Sequence, residues 1–215
     1  PEAKAFSNFM RFDRSWCEDI GSEDSNGRTL RALGQTVELA ADPSQAFWAI
    51  RWFDTALPHC NSLGSPRAVA FTMLGAAAVL RAKPGHGAAR TFLAEGADFL
   101  NRLLDSSRRP DWAWFEAVLG YDNPRLSQAL IEAGLALDEP RYTKAGLDSL
   151  AWIAQQQLAA SGHFRPVGSD TFGHPHASLP FDQQPLEAQA AIEAAASASR
   201  ADRDSKWQAH ALAAW

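Results

Sequence analysis

"SPRAVAFTMLGAAAVLRA" (residues 65–82) decides the fold. Ser65 is a good helix cap and Pro66 suits the first helical position, where its missing N–H costs nothing. From Pro66 to Ala82 the segment is apolar nearly all round, so it predicts a helix buried on every side. A chain of 215 residues that buries such a helix has other helices to surround it. Alanine dominates the composition while Ile and Val are scarce, which favours helix over strand.

The same start signal recurs at Asp42-Pro43 and Asn123-Pro124, and in a weaker version at Gln184-Pro185. Together these predict helices over 26–40, 43–57, 66–82, 87–106, 124–137, 140–159, 184–199 and 203–215. Helix 124–137 puts Leu126, Leu130, Ala133 and Leu137 on one stripe. Helix 87–106 carries Glu95, Asp98, Arg102 and Asp105 on a wet face. Three segments repeat loosely: "EDSNGRTLRALG" (23–34), "YDNPRLSQALIEAG" (121–134) and "FDQQPLEAQAAIEA" (181–194). Each has an acid, then polar or proline residues, then an apolar-patterned helix. Such spacing suits helical hairpins arranged as a superhelix or closed toroid. The fold expected is all-α: an α/α toroid, a partial (α/α)6 barrel with about four hairpins, in one domain over residues 1–215 that is a fragment of a longer one.

The net charge of −5, without a Lys/Arg run, excludes nucleic acid and anionic membrane surfaces as expected partners. No apolar stretch approaches a membrane span, and the N-terminal residues lack the apolar run of a signal peptide. Cys17 and Cys60 are the only cysteines and are expected as free thiols in a cytoplasmic protein. No Gly-rich phosphate loop, G-x-S-x-G or Cys/His nucleophile pattern occurs. His174 and His176, with Asp170 and His163 nearby, match no strong zinc spacing, so neither metal nor cofactor is expected.

The chemistry gathers at the loop ends. "PDWAWFEAVLGYDNPRLSQAL" (110–130) puts acids and large aromatics together just where a helix begins. The repeat places Asp24, Asp122 and Asp182 before equivalent helix starts, flanked by Glu23, Asp111 and Glu116. Each acid reads either as a cap or ion-pair partner, worth roughly 0.5–2 kcal/mol for a cap, or as a member of a catalytic pair. Paired carboxylates cleave glycosidic bonds, with retention at about 5–5.5 Å separation and inversion at about 6.5–9.5 Å. Glu116 leads as proton donor because it follows Trp112, Trp114 and Phe115, an apolar surround that raises a carboxyl pKa. Asp24 and Asp122 are candidate bases, with Asp111 and Asp182 completing the pool. Trp16, Trp112 and Trp114 are candidate sugar-stacking platforms or core residues. Glu23, Tyr121, His163, Arg165, Gln183 and Gln184 are candidates for holding hydroxyl groups. Arg28 and Arg125 read as ion-pair partners of the nearby aspartates.

"NFMRFDRSWCEDIGSEDSNGRTLRALG", "SPRAVAFTMLGAAAVL", "RPDWAWFEAVLGYDNPRLSQALIEAG", "GHFRPVG" and "FDQQPLEAQA" resemble a bacterial glycosyltransferase-associated family similar to six-hairpin (α/α)6-toroid glycosidases. The resemblance implies a glycosidase-like enzyme with a carboxylate acid/base pair acting on an oligosaccharide or glycoside. Two alternatives stay open. One is a non-catalytic glycan-binding or scaffold partner of a glycosyltransferase. The other is a sugar epimerase or isomerase with His163 as base.

Overall fold

The computed structural model describes residues 5–168 and 182–215. Eight α-helices occupy the described residues: α1 Glu23–Leu39, α2 Pro43–Ala56, α3 Pro66–Ala82, α4 Gly87–Ser107, α5 Pro124–Leu137, α6 Pro140–Gln156, α7 Pro185–Asp202 and α8 Ser205–Ala214. A 3-10 turn, Leu57–Ser62, follows α2. Pairing in the extended direction is confined, among the described residues, to isolated bridges such as Met10–Trp16 and Arg109–Trp112. The chain divides into two compact units, ending at Ala97 and beginning at Asp98, with the boundary inside α4.

In the first unit, α3 is buried from Arg67 through Leu80, as its all-round apolarity requires. It packs chiefly against α1. Gly34 and Gly75 set the approach. A Cβ on Gly34 would stand 2.2 Å from the Gly75 carbonyl oxygen, and one on Gly75 would stand 2.4 Å from that of Leu30. The two backbones therefore touch without intervening side chains. The Glu23 carboxylate ties the helix starts together, accepting the backbone N–H groups of Gly64 (3.0 Å) and Ser65 (2.6 Å).

The expected start of α1 near residue 26 moves to Glu23. Turn-forming Asp24, Ser25, Asn26 and Gly27 argue locally against helix. Tertiary contacts override them. Ser22 caps α1 through the Ser25 N–H, and the Asn26 side chain both accepts the Phe6 N–H (2.9 Å) and donates to the Ser22 carbonyl (3.0 Å). Gly27 lies against the Ala68 backbone, where a Cβ would come within 2.5 Å of the carbonyl oxygen.

In the second unit, α5 is the buried helix, covered from Pro124 through Gly134 and packed on α6 and α7. α6 stops at Gln156, short of the expected 159, and Gln157 begins a turn whose 0 % exposed side chain is drawn into the interior. α7 runs to Asp202 and ends on Arg203 in the left-handed conformation, so α8 starts with Asp204 as its cap. Cys17 is exposed and Cys60 buried, both as free thiols. Among the described residues no helix is long and apolar enough to cross a membrane.

His210 in α8 packs its ring edge-on to Phe164, at 6.1 Å between centroids. Burial holds its pKa below 6.5, because the charged ring would lose its water. The folded state therefore prefers the neutral ring. This contribution to stability is present above about pH 6.5 and is lost as pH falls through and below that value. The stability difference between pH 7 and pH 5 is expected to shrink in His210→Leu, read by denaturant midpoints at both pH values.

Candidate functional site

Two regions bear chemistry, one in each unit. In the first unit a cavity of about 490 Å³ opens between the segment before α1, α1 itself and α2. That volume falls in the range of small-molecule sites, roughly 300–1,000 Å³. Its walls are the rings of Phe6, Trp16, Trp48 and Trp52, with Glu18 and Asp19 at its edge. Trp48 and Trp52 lie four residues apart on α2, hence on one face. They are 57 % and 40 % exposed, and Trp16 is 51 % exposed. Large aromatics this open to water in a single groove mark a surface with a ligand or partner.

The segment before α1 is held in place by hydrogen bonds. Glu18 accepts backbone N–H groups from Asn8 and Phe9, the latter at 2.8 Å. The Asn8 side chain bonds Ser22, and Asn26 bonds both polar atoms of the Phe6 backbone. Gly21 permits this closure: a Cβ there would sit 2.3 Å from Asn8 Oδ1 and 2.7 Å from the Phe6 carbonyl oxygen. The Asp19 carboxylate is exposed and makes no ion pair or hydrogen bond among the described residues.

Asp24 is not placed before the helix start but within the first turn of α1, where it pairs with Arg28 Nε at 2.7 Å. Arg28 in turn lies over the Phe71 ring at 4.2 Å. Asp122 and Asp182 do share a geometry. Each has a positive φ, 52° and 63°, and each stands just ahead of a helix that opens with proline. The threefold equivalence of the repeat is thus twofold in conformation.

In the second unit the acid and aromatic stretch is a small core of its own. Trp112 and Trp114 are 5 % and 0 % exposed. Trp114 stacks on Trp152 at 5.8 Å, and Trp112 meets the same ring edge-on at 4.9 Å. Trp112 Nε1–H donates to the Glu116 carbonyl at 2.7 Å. Of the two readings of Trp112 and Trp114, sugar platform or core residue, this burial favours the core: a buried indole has no face left to offer. Aromatics gather before α5 because a long connection needs apolar mass of its own to be held down. Asp111 sits exposed on the tight turn Arg109–Trp112, Glu116 is half-buried, and Tyr121 is half-buried.

Beneath that stretch runs a buried polar network. The Arg125 guanidinium, 1 % exposed, meets Asp122 Oδ1 (3.4 Å), Gln128 Oε1 (2.8 Å) and Glu193 Oε2 (2.7 Å). Glu187, buried in the first turn of α7, accepts the Asn123 backbone N–H at 3.0 Å and Gln157 Nε2–H at 2.7 Å. Glu187 thus supplies the acceptor that the start of α5 needs. Glu187→Gln turns one acceptor into a donor facing donors. It is expected to lower stability by about 1–2 kcal/mol, read as a fall in denaturant midpoint with unchanged slope.

His163 is exposed and its Nδ1 meets Ser161 Oγ at 2.7 Å. Arg165 is half-buried, with its backbone N–H donating to the Gln157 carbonyl. Asp182, Gln183 and Gln184 are exposed, and Gln184 is the N-cap residue of α7 without a capping side-chain bond. Asp170, His174 and His176 lie outside the described residues. Glu18, Asp19, Trp48, Trp52 and Glu187 were not legible as site residues from the sequence. The i, i+4 tryptophans were the available signal for the cavity.

No family model and no curated protein matches the sequence. Among solved structures, the chain is similar to an unsaturated glucuronyl hydrolase specific for heparin, with a TM-score of 0.67 and 14 % identity. The likeness covers 99 % of this chain and 60 % of that one, so the chain spans about three-fifths of that protein's length. At that identity the likeness shows the fold: all-α helical hairpins of the α/α-toroid class, as the sequence predicts.

Proposed function

We propose that this chain is a carbohydrate-active protein of the glycosidase kind. In the first unit a sugar ring stacks in the cavity formed by Trp16, Trp48 and Trp52. The observation that carries the reading is that cavity, with open indole faces beside carboxylates on a hydrogen-bonded frame. Flat apolar faces match the C–H faces of sugar rings, while carboxylates accept from their hydroxyl groups. The similarity in fold to a glucuronyl hydrolase supports it.

Each unit also carries candidates for a carboxylate acid/base pair that acts on a glycosidic bond: Asp24 in the first, and Asp111, Glu116, Asp122 and Asp182 in the second, with Glu116 as donor. In the second unit Tyr121, Arg165, Gln183 and Gln184 hold hydroxyl groups. A second reading, a glycan-binding partner of a glycosyltransferase without catalysis, is favoured by the ion pairs that already engage Asp24 and Asp122. Calorimetry of the full-length protein with a panel of neutral oligosaccharides tests both, using wild type and Glu116→Gln in parallel. Binding by both proteins with turnover by the wild type alone supports the enzyme. Binding without turnover by either supports the partner. A folded protein that binds no saccharide sinks both readings.

A further inference from the structure

The cavity's lining also carries a charge pattern. Glu18 and Asp19 border it, and among the described residues no Lys, Arg or His lines it. Several bases on the same elements are turned to other tasks, with Arg28 and Arg31 over the Phe71 ring. Arg11 donates from Nη1 to the Trp16 carbonyl at 3.0 Å, and Arg51 lies over the Phe47 ring at 6.0 Å. A carboxylate or sulfate on a bound sugar would enter an apolar groove with two like charges at its edge and no partner to neutralise it. Like charges placed together oppose binding, and an apolar wall weakens the screening that water would give. An uncharged ring meets no such opposition. An ammonium group gains from both the carboxylates and the indole faces.

We infer that this cavity selects glycosyl rings that carry no anionic substituent, neutral or amino-bearing, and rejects uronates and sulfated sugars. The inference rests on the sugar reading above and narrows it. It also separates this chain from its structural neighbour, which is specific for heparin, a polyanion.

The test uses the full-length protein and three probes: a neutral manno- or cello-hexaose, a glucosamine hexamer, and a heparin hexasaccharide. Binding is read by calorimetry and by quenching of tryptophan fluorescence. The neutral and amino probes are expected to bind at least about tenfold more tightly than the heparin probe. Asp19→Asn is expected to narrow that gap by about threefold or more, and Trp48→Ala to weaken the preferred probe by about tenfold. Circular dichroism of each variant confirms folding. Heparin binding as tight as the others overturns the inference and leaves the sugar reading standing. Sugar binding untouched by Trp48→Ala in a folded variant also overturns it, by moving the sugar elsewhere. Absence of binding by all three probes defeats the sugar reading itself, and the inference with it.

Discussion

Arg125→Met is expected to destabilise the protein by about 3–5 kcal/mol. The guanidinium is 1 % exposed, and its removal takes one cationic partner from the Asp122 carboxylate, itself 1 % exposed. It also leaves Gln128 Oε1 and Glu193 Oε2 each short of a donor. Methionine restores much of the volume, so the loss isolates charge from packing. The companion change follows from the same physics. Asp122→Asn added to Arg125→Met removes the buried charge that has lost this partner, and asparagine tolerates the left-handed backbone at φ 52°. The double variant is expected to regain about 1–2 kcal/mol over Arg125→Met alone. Urea midpoints for the two variants and wild type decide it. If Arg125→Met is near neutral, the network is not holding a buried charge.

Gly34→Ala is expected to lose about 2–3 kcal/mol net, at the upper end of overpacking costs. Two effects oppose each other. Alanine in a helix interior gains about 1 kcal/mol over glycine from propensity. Against this, the new methyl would stand 2.2 Å from the Gly75 carbonyl oxygen and 2.6 Å from Gly75 Cα. Both obstacles are backbone, which cannot rotate away as a side chain can. α1 and α3 must then move apart at this contact, which loosens the packing they share. Stability of a domain is only about 5–15 kcal/mol, so the midpoint shift will be large. Gly85→Ala supplies the control. Its Cβ meets nothing within 4 Å, and it should stay within about 0.5 kcal/mol of wild type. Equal effects at the two glycines would show that the close helix contact is not what matters.

The Arg125 network joins a local pair, Asp122–Arg125, to the distant Glu193, and the Gly34–Gly75 contact joins two helices, so the sequence shows only the local pair. Gly34 and Gly75 were ordinary helix interruptions until α1 and α3 met. Glu187 was one acid of a first helical turn. That it serves Asn123 and Gln157, rather than its own helix, depends on where α5 starts and α6 stops. The cavity joins Trp16, in an irregular segment, to Trp48 and Trp52 on α2, and no local pattern links them.

The helical class and most helix starts can be read from local sequence alone. A Ser, Asp or Asn followed by proline acts within one turn, so Pro43, Pro66 and Pro124 open their helices where expected. The burial of α3 was equally plain, since a helix apolar on all sides has nowhere else to go. The ion pairs Asp24–Arg28 and Asp122–Arg125 followed from spacings of four and three residues. Tertiary structure alone decided which aromatics are core and which are open. Trp112 and Trp114 found Trp152 and were buried, while Trp16, Trp48 and Trp52 were left facing a groove. An indole ring carries the same apolar surface in either setting. Its role is fixed by the neighbours that the fold supplies.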